Sequence, residues 1–283
     1  MNGTTDDAMN TASAPTDPTW LDGGDFVLDG VTFTESWGDS TSSGHFSIRK
    51  HRALVERTLA LVHDLRPQRV VELGIASGGG TALLALAARP ERLMAVELAC
   101  DRVAALDDLV ARRGLAESLH AHYGVDQSDA PRIATLLDDT FGSDPVDLVV
   151  DDASHRYAES RASFEILFPR VRPGGVYVIE DWNWQLRLAH SIARGRDHVG
   201  GPTSSVDDEL RRRVGAYTHT HWSTPPLERL VLEIVLSRAC TRALIGAVHV
   251  EAEQVIVVRG STDLEVGSFR LADTYTAAAE VLG

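Results

Sequence analysis

The run RVVELGIASGGGTALLALAA, Arg69 to Ala88, decides the fold. RVVEL (Arg69 to Leu73) is β-branched and apolar without a clear polar face, the pattern of a strand covered on both sides. GGTALLALAA is built of strong helix formers and stops before Pro90. Between them lies a turn in which Gly74, Gly78 and Gly79 let backbone approach a ligand closely, and the helix that follows opens with exposed N–H groups. The dinucleotide pattern G-x-G-x-x-G is absent, because Ile75 and Ala76 follow Gly74, and there is no P-loop lysine. Glu72 stands just before the turn. A carboxylate there disfavours a pyrophosphate and favours a ligand carrying an ammonium or a sulfonium; a purely structural strand-to-helix turn is the alternative.

Outward from this unit the alternation repeats. LMAVEL is a strand and CDRVAALDDLVARRG a helix closed by Gly114. LHAHYGV is a strand and DAPRIATLLDDTF a helix with Pro131 in its first turn. VDLVV, YAESRASFEILFPRV and GGVYVIED continue as strand, helix and strand. Upstream, KHRALVERTLALVHDL puts Leu54, Val55, Leu59, Val62 and Leu65 on one helical face. Near the end, LERLVLEIVLSRA is a helix, and ALIGAVHVEAEQVIVVRG gives two strands around a turn at Glu251 to Glu253. The expectation is an α/β fold: a mostly parallel sheet with helices on both faces, closed by an antiparallel pair. Residues 1–17 read as a disordered tail and 18–283 as a single domain. Within it, about 25–50 form an N-terminal cover and about 182–226 a lid insertion.

The 283 residues carry 43% apolar side chains, enough for a large core, and a formal net charge of −14 from 27 Lys and Arg against 41 Asp and Glu. Such a surface repels phosphate backbones and anionic headgroups, so neither nucleic acid nor membrane is an expected partner. No apolar run approaches a membrane span, and the polar, acidic start lacks the features of a signal peptide. Cys100 and Cys240 fit neither a metal spacing nor a disulfide framework, which points to a reduced, cytoplasmic setting.

Two further strand ends carry polar residues. The second strand ends at Glu97, over twenty residues beyond Gly74, where an acid can accept both hydroxyls of a ribose. The third ends at Asp126, Gln127 and Ser128, suited to an adenine edge. With these residues the chain resembles the class I S-adenosylmethionine-dependent methyltransferases, over roughly Leu54 to Glu180 and again in the closing strand pair. The resemblance implies a Rossmann-like fold with seven strands in the order 3-2-1-4-5-7-6, the seventh antiparallel. It implies that Glu72, Gly74, Ser77 and Gly78 surround the methionine part of the cofactor, that Glu97 holds the ribose, and that Asp126 and Gln127 face the adenine. Asp151 joins the cofactor-binding set.

In that topology the fourth and fifth strands are neighbours, ~4.8 Å apart. One ends in Asp151 and Asp152, the other in Glu180 and Asp181, and bare carboxylates so crowded repel. A hard divalent cation such as magnesium resolves the crowding. The alternative is that Asp151 caps the next helix while Glu180 and Asp181 pair with Arg156 or Arg187. His155, three residues after Asp152, is placed to take a proton from a hydroxyl. VVDDASH…FPRVRPGGVYVIEDW resembles, more narrowly, the magnesium-dependent O-methyltransferases of macrolide and aminocoumarin deoxysugars and of actinobacterial sugars. That resemblance implies Asp152, Glu180 and Asp181 as metal ligands, His155 as base with Asp152 in the catalytic pair, and a sugar or glycoside hydroxyl as acceptor. Assembly as a homodimer or larger homo-oligomer is implied as well. Trp37, His45, His51, Trp182, Trp184 and His190 are candidates for the acceptor pocket. Three other readings stand beside this one: a phenol or catechol O-methyltransferase, an iron-dependent oxygenase like the cephalosporin hydroxylases, and a catalytically silent cofactor-binding protein.

Overall fold

The computed structural model describes residues 17–36, 38, 40–187 and 225–276. Four short strands come first: β1 (Thr19–Trp20), β2 (Phe26–Leu28), β3 (Val31–Glu35) and β4 (His45–Ile48). Then follow α1 (Arg52–Leu65), β5 (Arg69–Leu73), α2 (Gly79–Ala88), β6 (Arg92–Glu97), α3 (Ala104–Arg113), β7 (Leu119–Tyr123), α4 (Ala130–Phe141), β8 (Val146–Asp151), α5 (Tyr157–Leu167) and β9 (Val171–Glu180). After the residues that are not described come α6 (Glu228–Cys240), β10 (Ile245–Val250) and β11 (Gln254–Arg259).

The main sheet has the order β10-β11-β9-β8-β5-β6-β7. β5 to β9 run parallel, and β11 runs antiparallel to both β9 and β10. Numbered from β5, this is the 3-2-1-4-5-7-6 order expected from the sequence. Alternate residues of the central strands enter two separate cores, as period-two side-chain geometry requires. Val71, Leu73, Val149 and Tyr177 pack with α4, α5 and α6 on one face. Val70, Leu93, Leu148 and Val178 pack with α1, α2 and α3 on the other.

The N-terminal strands form a second sheet, β1-β2-β3-β4, in which β3 and β4 are parallel. Its Phe26, Phe33 and Phe46 are buried in the same core as α2. A helix apolar on all sides must be covered on all sides, and α2 is such a helix, with Thr81 through Ala87 buried. The second sheet provides the outer cover and carries the end of β4 to the start of α2.

Several element bounds differ from the sequence expectation; α5, for one, ends at Leu167 and not at Val171. α3 begins at Ala104 rather than near Cys100, because Glu97 accepts the Ala99 amide at 2.9 Å and holds the chain in a turn, and Val103 is extended. β9 begins at Val171, upstream of the Gly174-Gly175 pair.

One residue ties the bottom of the sheet together. Asp147, 6% exposed, accepts the backbone N–H of Gln68 and of Arg69 at 2.8 Å each and pairs with Arg172. Asp147→Ala strands two backbone donors, and equilibrium urea unfolding should register a loss of about 2–3 kcal/mol.

Candidate active site

The C-terminal ends of β5, β6, β7, β8 and β9 surround a cavity of about 510 Å³, within the range of small-ligand sites. Gly74 leaves β5 at φ +97°, and a Cβ there would lie 2.3 Å from the carbonyl oxygen of Asp152. The β5 and β8 loops therefore touch backbone to backbone. Gly79 does the same toward β4, a Cβ meeting the Ser47 carbonyl oxygen at 2.3 Å. Ser77 donates its hydroxyl to that same carbonyl at 3.2 Å. The α2 N-terminus opens beside Gly78, where unpaired N–H groups favour an anionic ligand group.

Glu97 fixes this loop. One carboxylate oxygen accepts Ile75 N–H at 3.0 Å and Ala76 N–H at 2.8 Å, and the other accepts Ala99 N–H. Ala76 sits at φ 47°, a conformation costly for a residue with a Cβ, and the bond to Glu97 offsets part of that cost. Asp126 accepts both the amide and the hydroxyl of Ser128, which holds its carboxyl below the usual range. Gln127 is buried. Its amide donates to Asp151 at 3.2 Å and to Ser163 at 2.8 Å, and its carbonyl accepts Ser154 N–H at 2.9 Å. Glu97, Asp126 and Gln127 all line the cavity, Gln127 with its side chain already engaged in the wall.

The acidic rim divides into two groups. Asp152 and Glu180 are bridged by Lys50, whose ammonium donates to Asp152 Oδ2 at 2.7 Å and to Glu180 Oε2. Burial works against the charged ammonium, yet the two carboxylates outweigh it and hold Lys50 protonated. Burial likewise works against Asp152, and Lys50 more than compensates, so that carboxyl stays below its ordinary range. Glu180 also accepts Gln254 Nε2 at 3.2 Å. The second group is Asp152, His155 and Asp181, each offering one ligand atom within 4.8 Å of the others. His155 Nε2 lies 3.8 Å from Asp152 Oδ1 and 3.9 Å from Asp181 Oδ2. His155 and Asp181 both have positive φ, 52° and 49°. Trp184 anchors the first of them by donating its indole N–H to the His155 carbonyl at 2.9 Å.

Two predicted cofactor residues stand behind the cavity wall rather than in it. Asp151 accepts Gln127 and Tyr177, and burial pushes its carboxyl up to about 6. Glu72 is 2% exposed, bonded to Thr81, and burial pushes it up to about 8. Of the acceptor-pocket candidates, Trp37 and His190 lie outside the described residues. His45 bonds Thr34 at 2.9 Å. His51 caps α1 and pairs with Glu253. Trp182 donates its indole N–H to the Glu251 carbonyl in the β10–β11 turn at 2.9 Å. None of His45, His51, Trp182 and Trp184 is among the residues lining the cavity. The ion pairs considered from sequence also fall elsewhere: Arg187 pairs with Glu253 and Arg156 with Glu159.

Lys50 was missed in the sequence, though a signal exists. Of the chain's 27 Lys and Arg residues it alone is lysine.

The sheet order, the glycine loop and the acids at the strand tips together make a Rossmann-like α/β domain with a ligand cavity at its strand ends. In agreement, the family model described as "Methyltransferase domain" matches residues 71–182. Among curated relatives, 8-demethyl-8-(2-methoxy-alpha-L-rhamnosyl)-tetracenomycin-C 3'-O-methyltransferase of Streptomyces olivaceus is 33% identical over 156 residues, covering 50% of this chain and 36% of that one. Demethylmacrocin O-methyltransferase of Streptomyces fradiae is 54% identical over 56 residues, 20% of this chain and 13% of the other. The matched segments span between 9% and 36% of the lengths of these curated relatives. A solved structure of the MycE methyltransferase from the mycinamycin biosynthetic pathway, in complex with Mg, SAH and mycinamycin VI, superposes with a TM-score of 0.49 at 21% identity. It covers 77% of this chain and 52% of that one. Among the described residues, no helix is long and apolar enough to cross a membrane.

Proposed function

We propose that this protein transfers a methyl group from S-adenosylmethionine to a hydroxyl of a sugar or glycoside, with a divalent cation at the acidic rim and His155 as the base. The observation that carries the proposal is the convergence of Asp152, His155 and Asp181 at the rim of a cavity that the glycine loop and Glu97 also line. The activities of the curated relatives, O-methylation of rhamnosyl tetracenomycins among them, support the choice of acceptor.

In this reading Gly74, Ser77, Gly78 and the α2 N-terminus receive the amino-acid end of the cofactor, where the free N–H groups suit its carboxylate. Glu97 keeps lone pairs for the ribose hydroxyls after accepting its backbone donors. Asp126 and Gln127 border the base. Asp151 and Glu72 act from behind the wall, Asp151 by fixing Gln127.

The donor set fits a divalent ion. Two carboxylates and an imidazole converge with spacing that allows a shared ligand, while Glu180 stands one step back on Lys50 and Gln254. Asp152 and Asp181 would hold the ion, with Glu180 as the third acid. When bound, magnesium would lower the pKa of an acceptor hydroxyl and orient it. His155 takes the hydroxyl proton at Nε2, the ring atom facing Asp152 and Asp181. Trp184 keeps the ring in place through the His155 carbonyl. Free, exposed thiols at Cys100 and Cys240 agree with a cytoplasmic setting.

The test is transfer of labelled methyl from S-adenosylmethionine to a panel of glycosides and phenols matched in size, with Mg²⁺ present. We expect glycosides to lead by at least about tenfold in kcat/KM, since a weakly acidic hydroxyl gains most from a base and a cation. A preference for phenols, or the absence of transfer to any acceptor, would overturn the reading.

A further inference from the structure

Lys50 lies two residues after the end of β4 and directly before His51, the cap of α1, so its backbone is held from both sides. Its side chain is 6% exposed and crosses to the tips of β8 and β9, which lie more than one hundred residues away in the chain. There it occupies the inner oxygens of both acids. Asp152 turns its other oxygen toward His155, and Glu180 gives its other oxygen to Gln254. The oxygens through which these two acids could share a cation are therefore those that the ammonium already holds.

A second buried carboxyl, Glu72, stands near the same side chain. A Cβ on Gly80 would lie 2.6 Å from Glu72 Oε1 and 3.8 Å from Lys50 Cε, so both side chains border that glycine. Glu72 accepts the Thr81 hydroxyl, and burial disfavours its charged form, which an approaching ammonium would restore. A lysine suits movement between two such sites. It is a compact charge on a flexible stem, whereas the fork of an arginine would lock to one carboxylate. In a chain that otherwise uses arginine for every basic position, the exception falls here.

We propose that Lys50 is a tethered counter-cation that exchanges with the divalent ion. The ammonium holds Asp152 and Glu180 together without the ion and withdraws toward Glu72 when the ion arrives. This rests on the metal-dependent reading above. The exchange keeps Asp152 and Glu180 beside a cation in both states, avoiding the large penalty of a bare buried charge.

Because the chain has one lysine, protein made with ¹³C,¹⁵N-lysine gives a single set of side-chain signals. Magnesium chloride is titrated into the full chain, following that signal by NMR and ion uptake by calorimetry. Uptake is measured in parallel on Lys50→Met. We expect the Lys50 signal to move saturably in step with ion uptake. The variant should take up Mg²⁺ at least about tenfold more tightly, because a competing positive charge a few ångströms away has been removed. Uptake by the variant alone would also support the exchange. Ion uptake with a stationary Lys50 signal, or weaker uptake by Lys50→Met, would overturn it while leaving the metal-dependent function standing. No uptake by either protein would overturn both. If Lys50→Met does not fold, the wild-type titration decides alone.

Discussion

His155→Ala should lower kcat for methyl transfer by ~10²–10⁴ while leaving S-adenosylhomocysteine affinity, measured by calorimetry, unchanged. A sugar hydroxyl is a very weak acid, so its proton must leave as the oxygen becomes nucleophilic. His155 Nε2 is the nitrogen base at the rim, 3.8 Å from Asp152 Oδ1 and 3.9 Å from Asp181 Oδ2. His155 belongs to the rim cluster and not to the glycine loop or Glu97, which this reading gives to the cofactor, so the variant should separate turnover from cofactor binding. His155→Gln keeps a polar side chain without a base and should be as slow as alanine. Retention of more than a tenth of wild-type kcat in both variants would remove His155 from the chemistry and leave it as a rim residue.

Gly74→Ala should cost roughly 3 kcal/mol or more and lower Tm by several degrees, as read by calorimetry. Two effects add. The residue has φ +97°, outside the comfortable range of any residue with a Cβ, and the new methyl would meet the Asp152 carbonyl oxygen at 2.3 Å, its carbon at 2.8 Å and Ala153 Cα at 3.0 Å. These are backbone atoms and cannot swing aside. Gly114→Ala supplies the comparison: it too has positive φ, at +65°, but nothing lies within 4 Å of the added carbon. It should lose only about 1 kcal/mol. An equal loss for the two variants would mean that strain in φ, and not contact between the β5 and β8 loops, dominates at Gly74. Since the carbonyl in question belongs to Asp152, residual folded Gly74→Ala should also show weakened cofactor binding.

The sheet was legible because it is local in sequence. Each strand and helix announces itself by its own periodicity, and βαβ connections leave little freedom of order. Glu97, Asp152 and His155 were legible for a related reason: they sit at strand ends, where a run of apolar residues breaks. Which of the paired acids faces the cavity was harder to read. Asp151 is the last residue of β8 and belongs to its alternation, so it turns into the wall toward Tyr177, while Asp152 follows the strand and faces the rim. Lys50 was illegible by local rules altogether, since its partners are contributed by distant strands. Only the global fact of a single lysine pointed to it. The tryptophans carried a different ambiguity. Trp182 and Trp184 look like sugar-stacking rings by composition, but their indole N–H groups are engaged by the carbonyls of Glu251 and His155. The four-stranded N-terminal sheet hid in a stretch dense in turn formers, and its need follows only from the fully apolar surface of α2.

The left-handed backbone at His155 and Asp181 narrows what these two positions can become. Few side chains tolerate that conformation, and asparagine and aspartate are the main ones besides glycine. A descendant of this chain that sheds the charge at 181 therefore has an inexpensive route through asparagine, which preserves the bend and keeps an oxygen for coordination. At 155 the routes open to the backbone, glycine and asparagine, both forfeit the base. With His155 as the proposed base, drift at the first position can retune the rim while transfer survives, whereas drift at the second removes the group assigned to the proton.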